Sequence, residues 1–318
     1  MALLLQLKGR ILAFIGRYDL IIRTICRFAA AFLIFLLIRR SIGGQEILNS
    51  NLLLVLLAAA CAFLPAGATL FIGTVLILLD FYVISPELTI VAFLAFVLWF
   101  FLYFRFASKK AVYAILCGLL SVIGIPFVMP LAIGLRQKAQ NIVSALFGLF
   151  VYFILADVRD SRSVLEQMAG QPDRSSVLNL ISTQILGNRE MYLFLCVFLG
   201  TAIFVATITR LSVNHIREIA VISGGLLQVV ILGIGELALG RTERIPAILI
   251  GVIVSTAIAY LISVLGVSMD YSRVERVQFE DDEYYYYVKA VPKVAVAVTD
   301  KQVETIHSVE STDKDEEE

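Results

Sequence analysis

Nine apolar stretches follow one another along this chain, each close to the roughly 20 residues that a helix needs to cross about 30 Å of hydrocarbon. They lie at about 24–38, 47–64, 68–85, 87–104, 111–135, 140–157, 190–209, 218–240 and 245–267. Inside a bilayer every backbone N–H and C=O must be satisfied within the chain, so a sequence of this pattern folds as helices. Hydrophobic residues make up 59% of the chain and charged ones only 16%, which makes lipid the solvent for most of it. The expected fold is an all-α integral membrane helical bundle of eight or nine transmembrane helices.

The apolar pattern stops near Val267. Residues 1–266 carry 20 Lys+Arg against 12 Asp+Glu, a balance of +8, whereas residues 267–318 carry 6 against 14, a balance of −8. Short basic loops suit a cytoplasm lined by anionic lipid, and the acidic tail offers nothing to phosphate, so nucleic acid is not an expected partner. The expected organisation is an interfacial amphipathic helix at 1–22, a polytopic bundle at 23–267, a juxtamembrane tail at 268–299 and a disordered acidic end at 300–318. Within the bundle, residues 158–189 form an extramembrane loop in which Val177, Leu178, Ile181 and Ile185 recur on one side of an amphipathic helix. No cleavable signal peptide is read, because Met1–Leu7 is apolar before any positive charge.

Leu64-Pro65-Ala66-Gly67 and Ser85-Pro86-Glu87 place proline where a helix can begin, since its missing N–H would be unpaired in a first turn anyway. These tight turns make antiparallel neighbours of the stretches they join. Residues 111–135 are the irregular segment: Gly124, Pro126 and Pro130 break the helical ladder near its middle. Both flanks are basic, with Arg105, Lys109 and Lys110 before the segment and Arg136 and Lys138 after it. The positive-inside tendency places both flanks in the cytoplasm, which favours a re-entrant hairpin over a through-going span. Eight crossings then leave the acidic tail cytoplasmic, whereas nine would put it outside. Eight is the expected number.

An ionisable group inside a membrane costs on the order of 2–3 kcal/mol or more to insert, so each one is a candidate site. Asp80 and Glu236 lie about one turn from expected helix ends and read either as interfacial carboxylates or as a proton or cation site. Gln228, closer to a span centre, reads as an interhelical hydrogen bonder. Ser144 with Gly148, Ala202 with Ala206, and Gly224-Gly225 followed by Gly233 and Gly235 have the small-residue spacing that lets helix backbones approach. Arg210, Arg217, Arg241 and Arg244 read as topology markers at helix ends, with the clamping of an anionic headgroup as the functional alternative. Neither His215 nor His307 has a second histidine at i+4, the four cysteines form no CxxC pair, and no GxSxG, GxGxxG or GxxxxGK[ST] motif occurs. No catalytic residue, metal or cofactor is expected, and the chain is not expected to be an enzyme.

The most distinctive string, VERVQFEDDEYYYYVKAVPK, runs from Val274 to Lys293. Its β-branched and aromatic runs flank an acidic cluster, so the tail can pair as a β-hairpin, with Pro292 limiting the second strand. An isolated hairpin is marginal in water and needs support, which makes Phe279, Tyr284, Tyr285, Tyr286 and Tyr287 candidate partner-binding residues; the alternative is a semi-ordered linker. The string resembles one carried at the same place by multi-pass membrane proteins of Gram-positive bacteria, a family of uncharacterised activity. Tyr284–Tyr287 and Lys289-Ala290-Val291-Pro292-Lys293 are the specific part of the likeness. The resemblance implies a bacterial plasma membrane and carries over no site residue. The expected function is a non-catalytic scaffold or subunit of a membrane or envelope assembly, seated in the lipid bilayer and contacting a membrane or cytoplasmic protein through its tail. The alternative is a transporter or permease-like protein for a small solute, resting on the proline-broken segment with Asp80 and Glu236 as polar contributors.

Overall fold

The computed structural model describes residues 16–43, 50–107, 110–136, 139–169, 174–211 and 215–266, together with the backbone of 275–280 and 285–290. They belong to two compact units, one of residues 15–267 and one joining 1–14 to 268–318. The described part of the larger unit is helical: α1 Asp19–Ser41, α2 Asn51–Phe63, α3 Ala66–Ile84, α4 Pro86–Phe106, α5 Ala111–Ile123, α6 Val128–Leu135, α7 Ile142–Ala169, α8 Arg174–Leu180, α9 Arg189–Ile208, α10 Ile216–Ala238 and α11 Ile245–Gly266.

Local chemistry sets the helix limits. Pro65 immediately precedes α3, and Pro86 opens α4 behind Ser85, whose hydroxyl oxygen accepts from the Leu88 N–H at 3.5 Å. Two helices outrun their apolar stretches. α1 begins at Asp19, where Asp19 and Arg23 pair at 2.5 Å one turn apart, and α7 continues past Asp157 to Ala169. The extension of α7 is amphipathic: Leu165 is fully buried while Arg162 and Glu166 pair at 2.7 Å on the outside. Val177, Ile181 and Ile185, spaced by four, are buried against the bundle, whereas Leu178, about 100° further round the helix, is 45% exposed.

Among the described residues, seven helical segments are long and apolar enough to cross a membrane: α1, α3, α4, most of α7, residues 177–208 ending in α9, α10, and residues 242–264 around α11. α2 and α5 are apolar but only 13 residues long. Large apolar side chains point outward along these helices, with Phe63 83% and Phe101 71% exposed, a surface suited to lipid rather than water. The chain is a multi-pass, membrane-embedded helical protein. Its interior is aromatic: Phe96 meets Phe147 and Phe150 edge-on, each with ring centroids 6.3 Å apart, and Phe127 packs between Phe194 and Phe198 at 5.8 Å.

Residues 111–135 fold as two half-length helices. Gly124 ends α5 in the left-handed region at φ +86°, where Gly124 N–H reaches Ser121 O at 3.2 Å and Ile125 N–H reaches Leu120 O at 3.0 Å. Those two bonds satisfy carbonyls that would otherwise be stranded inside the bundle. Pro126 O then accepts from Met129 N–H at 3.0 Å, and Pro130 sits in the first turn of α6, where its missing N–H leaves no bond unmade. α6 brings the chain back to the end at which α5 began, since Arg136 Nη1 donates to Tyr113 Oη at 3.1 Å. α7 starts at the same end, with Ser144 Oγ donating to Lys110 O at 2.8 Å.

In the other unit Glu275–Glu280 (β1) runs antiparallel to Tyr285–Ala290 (β2), in a register that sets Phe279 opposite Tyr286 and Gln278 opposite Tyr287. Tyr284, residues 1–15 of the expected interfacial helix and the acidic end at 300–318 lie outside the described residues.

Candidate functional site

Charged side chains gather at the end of the bundle opposite the start of α5. α7 leaves Lys110 with Ser144 and reaches Asp157 thirteen residues later, about 20 Å along its axis. There Asn188 Nδ2 donates to both Asp157 carboxylate oxygens, at 3.0 and 2.9 Å. The Asn188 Oδ1 also caps α9, accepting from the N–H groups of Glu190 and Met191 at 3.0 and 3.4 Å. That cap fixes Glu190 in the first turn of α9, where it is only 4% exposed.

Two arginines from the α10–α11 turn close over Glu190. Arg244 Nη1 donates to Glu190 Oε1 and Oε2 at 2.6 and 2.8 Å, and Arg241 Nη1 donates to Oε2. Gly240, at φ +72°, turns the chain out of α10, and the short 3₁₀ turn Thr242–Arg244 puts both arginines on one side. The guanidinium stems are 45% and 57% exposed, so the pair reaches inward from the surface to a carboxylate that is not itself exposed.

Glu236, in the last turn of α10, completes the group. It is fully buried, and among the described residues neither carboxylate oxygen meets a hydrogen-bond donor and its charged neighbours are Glu190, Arg241 and Arg244. Asp157 lies beyond Asn188 as a third carboxylate, with Asp160 as a further acidic neighbour. A buried carboxylate without a donor is a group that a proton or a cation would balance. No set of three or more His, Cys, Asp and Glu placed to hold a metal ion occurs among the described residues.

Gln228 is fully buried near the middle of α10 and donates from Nε2 to Phe127 O at 3.4 Å, tying the tip of the α5–α6 pair to that helix. A Cβ at Gly251 would lie 2.5 Å from Gly124 O, so α11 holds the same tip by backbone contact. Asp80, 3% exposed on α3, is not brought to Glu236; it borders a narrow crevice beside Phe35, Arg39 and Leu54. The sequence reading assigns no role to Asp157, Asn188 or Glu190. The available signal was a helix cap followed by an acid between two apolar stretches, a pattern shared by ordinary helix starts.

Compared with known proteins, the chain matches no family model, no curated protein and no solved structure.

Proposed function

We propose that this is a non-catalytic, permease-like protein of a bacterial plasma membrane that binds and passes a small solute. In this reading α1 to α4, α7 and α9 to α11 make eight crossings, and α5–α6 is a re-entrant hairpin. The observation that carries it is the return of α6 to the start of α5, with the broken tip held at mid-bundle by Gln228 and Gly251. Interrupted backbone at membrane depth is expensive and is tolerated where it is buried in protein or lines a polar path, and in transporters such broken helices meet at the solute site. Glu236, fully buried and with no hydrogen-bond donor on its carboxylate among the described residues, is the group that exchanges a proton or cation.

Orientation follows from the charge of the two ends. Arg105, Lys110, Arg136, Arg210 and Arg217 share the end where α5 starts, while the opposite end mixes its arginines with Asp157, Asp160, Glu166, Glu190 and Glu243. The basic end is therefore cytoplasmic, and so is the tail that follows α11. Single cysteines test this in a background with the exposed Cys26 and Cys196 changed to serine, the buried Cys61 and Cys117 being out of reach of the reagent. With a membrane-impermeant maleimide, Arg105→Cys and Arg136→Cys label only after permeabilisation, and Glu243→Cys labels in intact cells. Labelling of Arg136→Cys on the side of Glu243→Cys makes the segment a through-going span and removes the reading.

The tail favours a second reading, that of a scaffold. A strand pair such as β1–β2 leaves an edge open to an added strand from a membrane or cytoplasmic protein. Deletion of residues 268–318 then abolishes co-purification of one specific partner without lowering membrane insertion; equal recovery by the truncated chain excludes this role.

A further inference from the structure

A cavity of about 390 Å³ lies between α1, α3, α5 and α7, away from the Glu190 cluster. Its inner part is apolar: Ile38, Ile77, Ala114, Ile115 and Phe147 contribute side chains, and the Thr74 hydroxyl is turned back to Leu70 O at 2.9 Å. Val122 is the last α5 residue on its wall, because α5 stops at the Gly124 break. α1 and α7 carry the lining on to Ser41, Arg40 and Arg159 at the end of the bundle opposite the start of α5. Along α7 the wall extends from Phe147 to Arg159, twelve residues and about 18 Å. The result is a long apolar slot with two guanidiniums at one mouth.

We propose that this slot binds one anionic membrane lipid, with its phosphate between Arg40 and Arg159 and an acyl chain along the apolar wall. Charge complementarity selects this occupant. Among the described residues Arg159 has one ion-pair partner, the exposed Asp160 at 3.3 Å, so the mouth carries a net positive charge that a zwitterionic headgroup does not balance. Guanidinium groups bind phosphate through paired donors, and Ser41 beside them adds a hydroxyl. A free anion would use the mouth and leave the slot unused, whereas a lipid enters from the phase that already surrounds α1 and α5. The proposal goes beyond the permease-like reading, since the slot is separate from the Glu190 cluster and a lipid is not the small solute.

The test uses the full chain in detergent, depleted of lipid and titrated with phosphatidylglycerol or phosphatidylcholine of matched chains, with bound lipid counted by native mass spectrometry. One phosphatidylglycerol is retained in preference to phosphatidylcholine. Arg40→Gln with Arg159→Gln, both at exposed positions, lowers that retention about tenfold or more. Gly73→Leu, where an added Cβ meets only ordinary contacts at 3.8–3.9 Å, fills the slot and lowers retention with both arginines intact. Equal retention of the two lipids, or no change in the arginine variant, overturns the proposal. So does displacement of the lipid by inorganic phosphate together with indifference to Gly73→Leu, which would make the mouth a simple anion site. If Gly73→Leu does not fold, the arginine variant alone decides. The cysteine labelling at Arg105 and Arg136 does not depend on bound lipid, so failure here is distinct from failure of the permease-like reading.

Discussion

Replacing Arg241 and Arg244 together by glutamine is expected to destabilise the bundle by about 3–5 kcal/mol, the cost of leaving a buried carboxylate uncompensated. Glu190 is 5% exposed at its side chain, and among the described residues its charged hydrogen bonds come from these two arginines. The asymmetry of exposure gives the prediction its sign and a control. Removing the carboxylate instead, by Glu190→Gln, frees two arginines that are already 45% and 57% exposed and can turn to water, so its effect is smaller. Adding Glu190→Gln to the double arginine variant should therefore recover much of the loss. Thermal unfolding in one detergent checks the series. A double arginine variant as stable as the parent would mean that the cluster carries no net electrostatic weight.

Gly148→Ala should be nearly as damaging, by about 3 kcal/mol, for a steric reason. α5 and α7 run side by side with their backbones in contact, and a Cβ at Gly148 would lie 2.0 Å from Ala114 O and 2.8 Å from its carbonyl carbon. These are backbone atoms, so no rotamer change relieves the overlap and the helices must separate. Separation would pull α5 from its anchors, the Ser144 Oγ bond to Lys110 O and the tip contacts with Gln228 and Gly251. Gly118, on the facing helix, is the control: a Cβ there would be 3.7 Å from Gly148 O, an ordinary contact, and Gly118→Ala should be tolerated within about 1 kcal/mol. Equal effects at the two glycines would show that helix propensity rather than close approach governs the pair.

Much of this architecture was legible because it is local. The turns at Pro65 and Pro86 follow from proline's missing N–H, and both precede helices where expected. Ser144 and Gly148 were marked by small-residue spacing, and both sit where α7 meets α5. The helix limits were less legible: α7 outruns its apolar stretch because an amphipathic extension buries Leu165 against the bundle, which hydropathy alone does not register. Leu178 belonged to the apolar pattern by composition but not by angle. Of the polar candidates, Gln228 was readable from its central position, whereas Glu190 resembled any acid in a first helical turn.

By itself the sequence determined the solvent, the helical class and the place at which the ladder breaks. Hydropathy, backbone hydrogen-bond satisfaction and the chemistry of Gly124 and Pro126 act within a few residues and are indifferent to the rest of the chain. Only the tertiary structure decided that α6 returns to Tyr113, that Asp80 stays apart from Glu236, and that Glu190 meets arginines more than 50 residues away. Those choices depend on which helix backbones can approach one another, as at Gly134 against Val205 and Gly148 against Ala114. Close approach is a property of two surfaces together, and neither surface is written in one stretch of sequence.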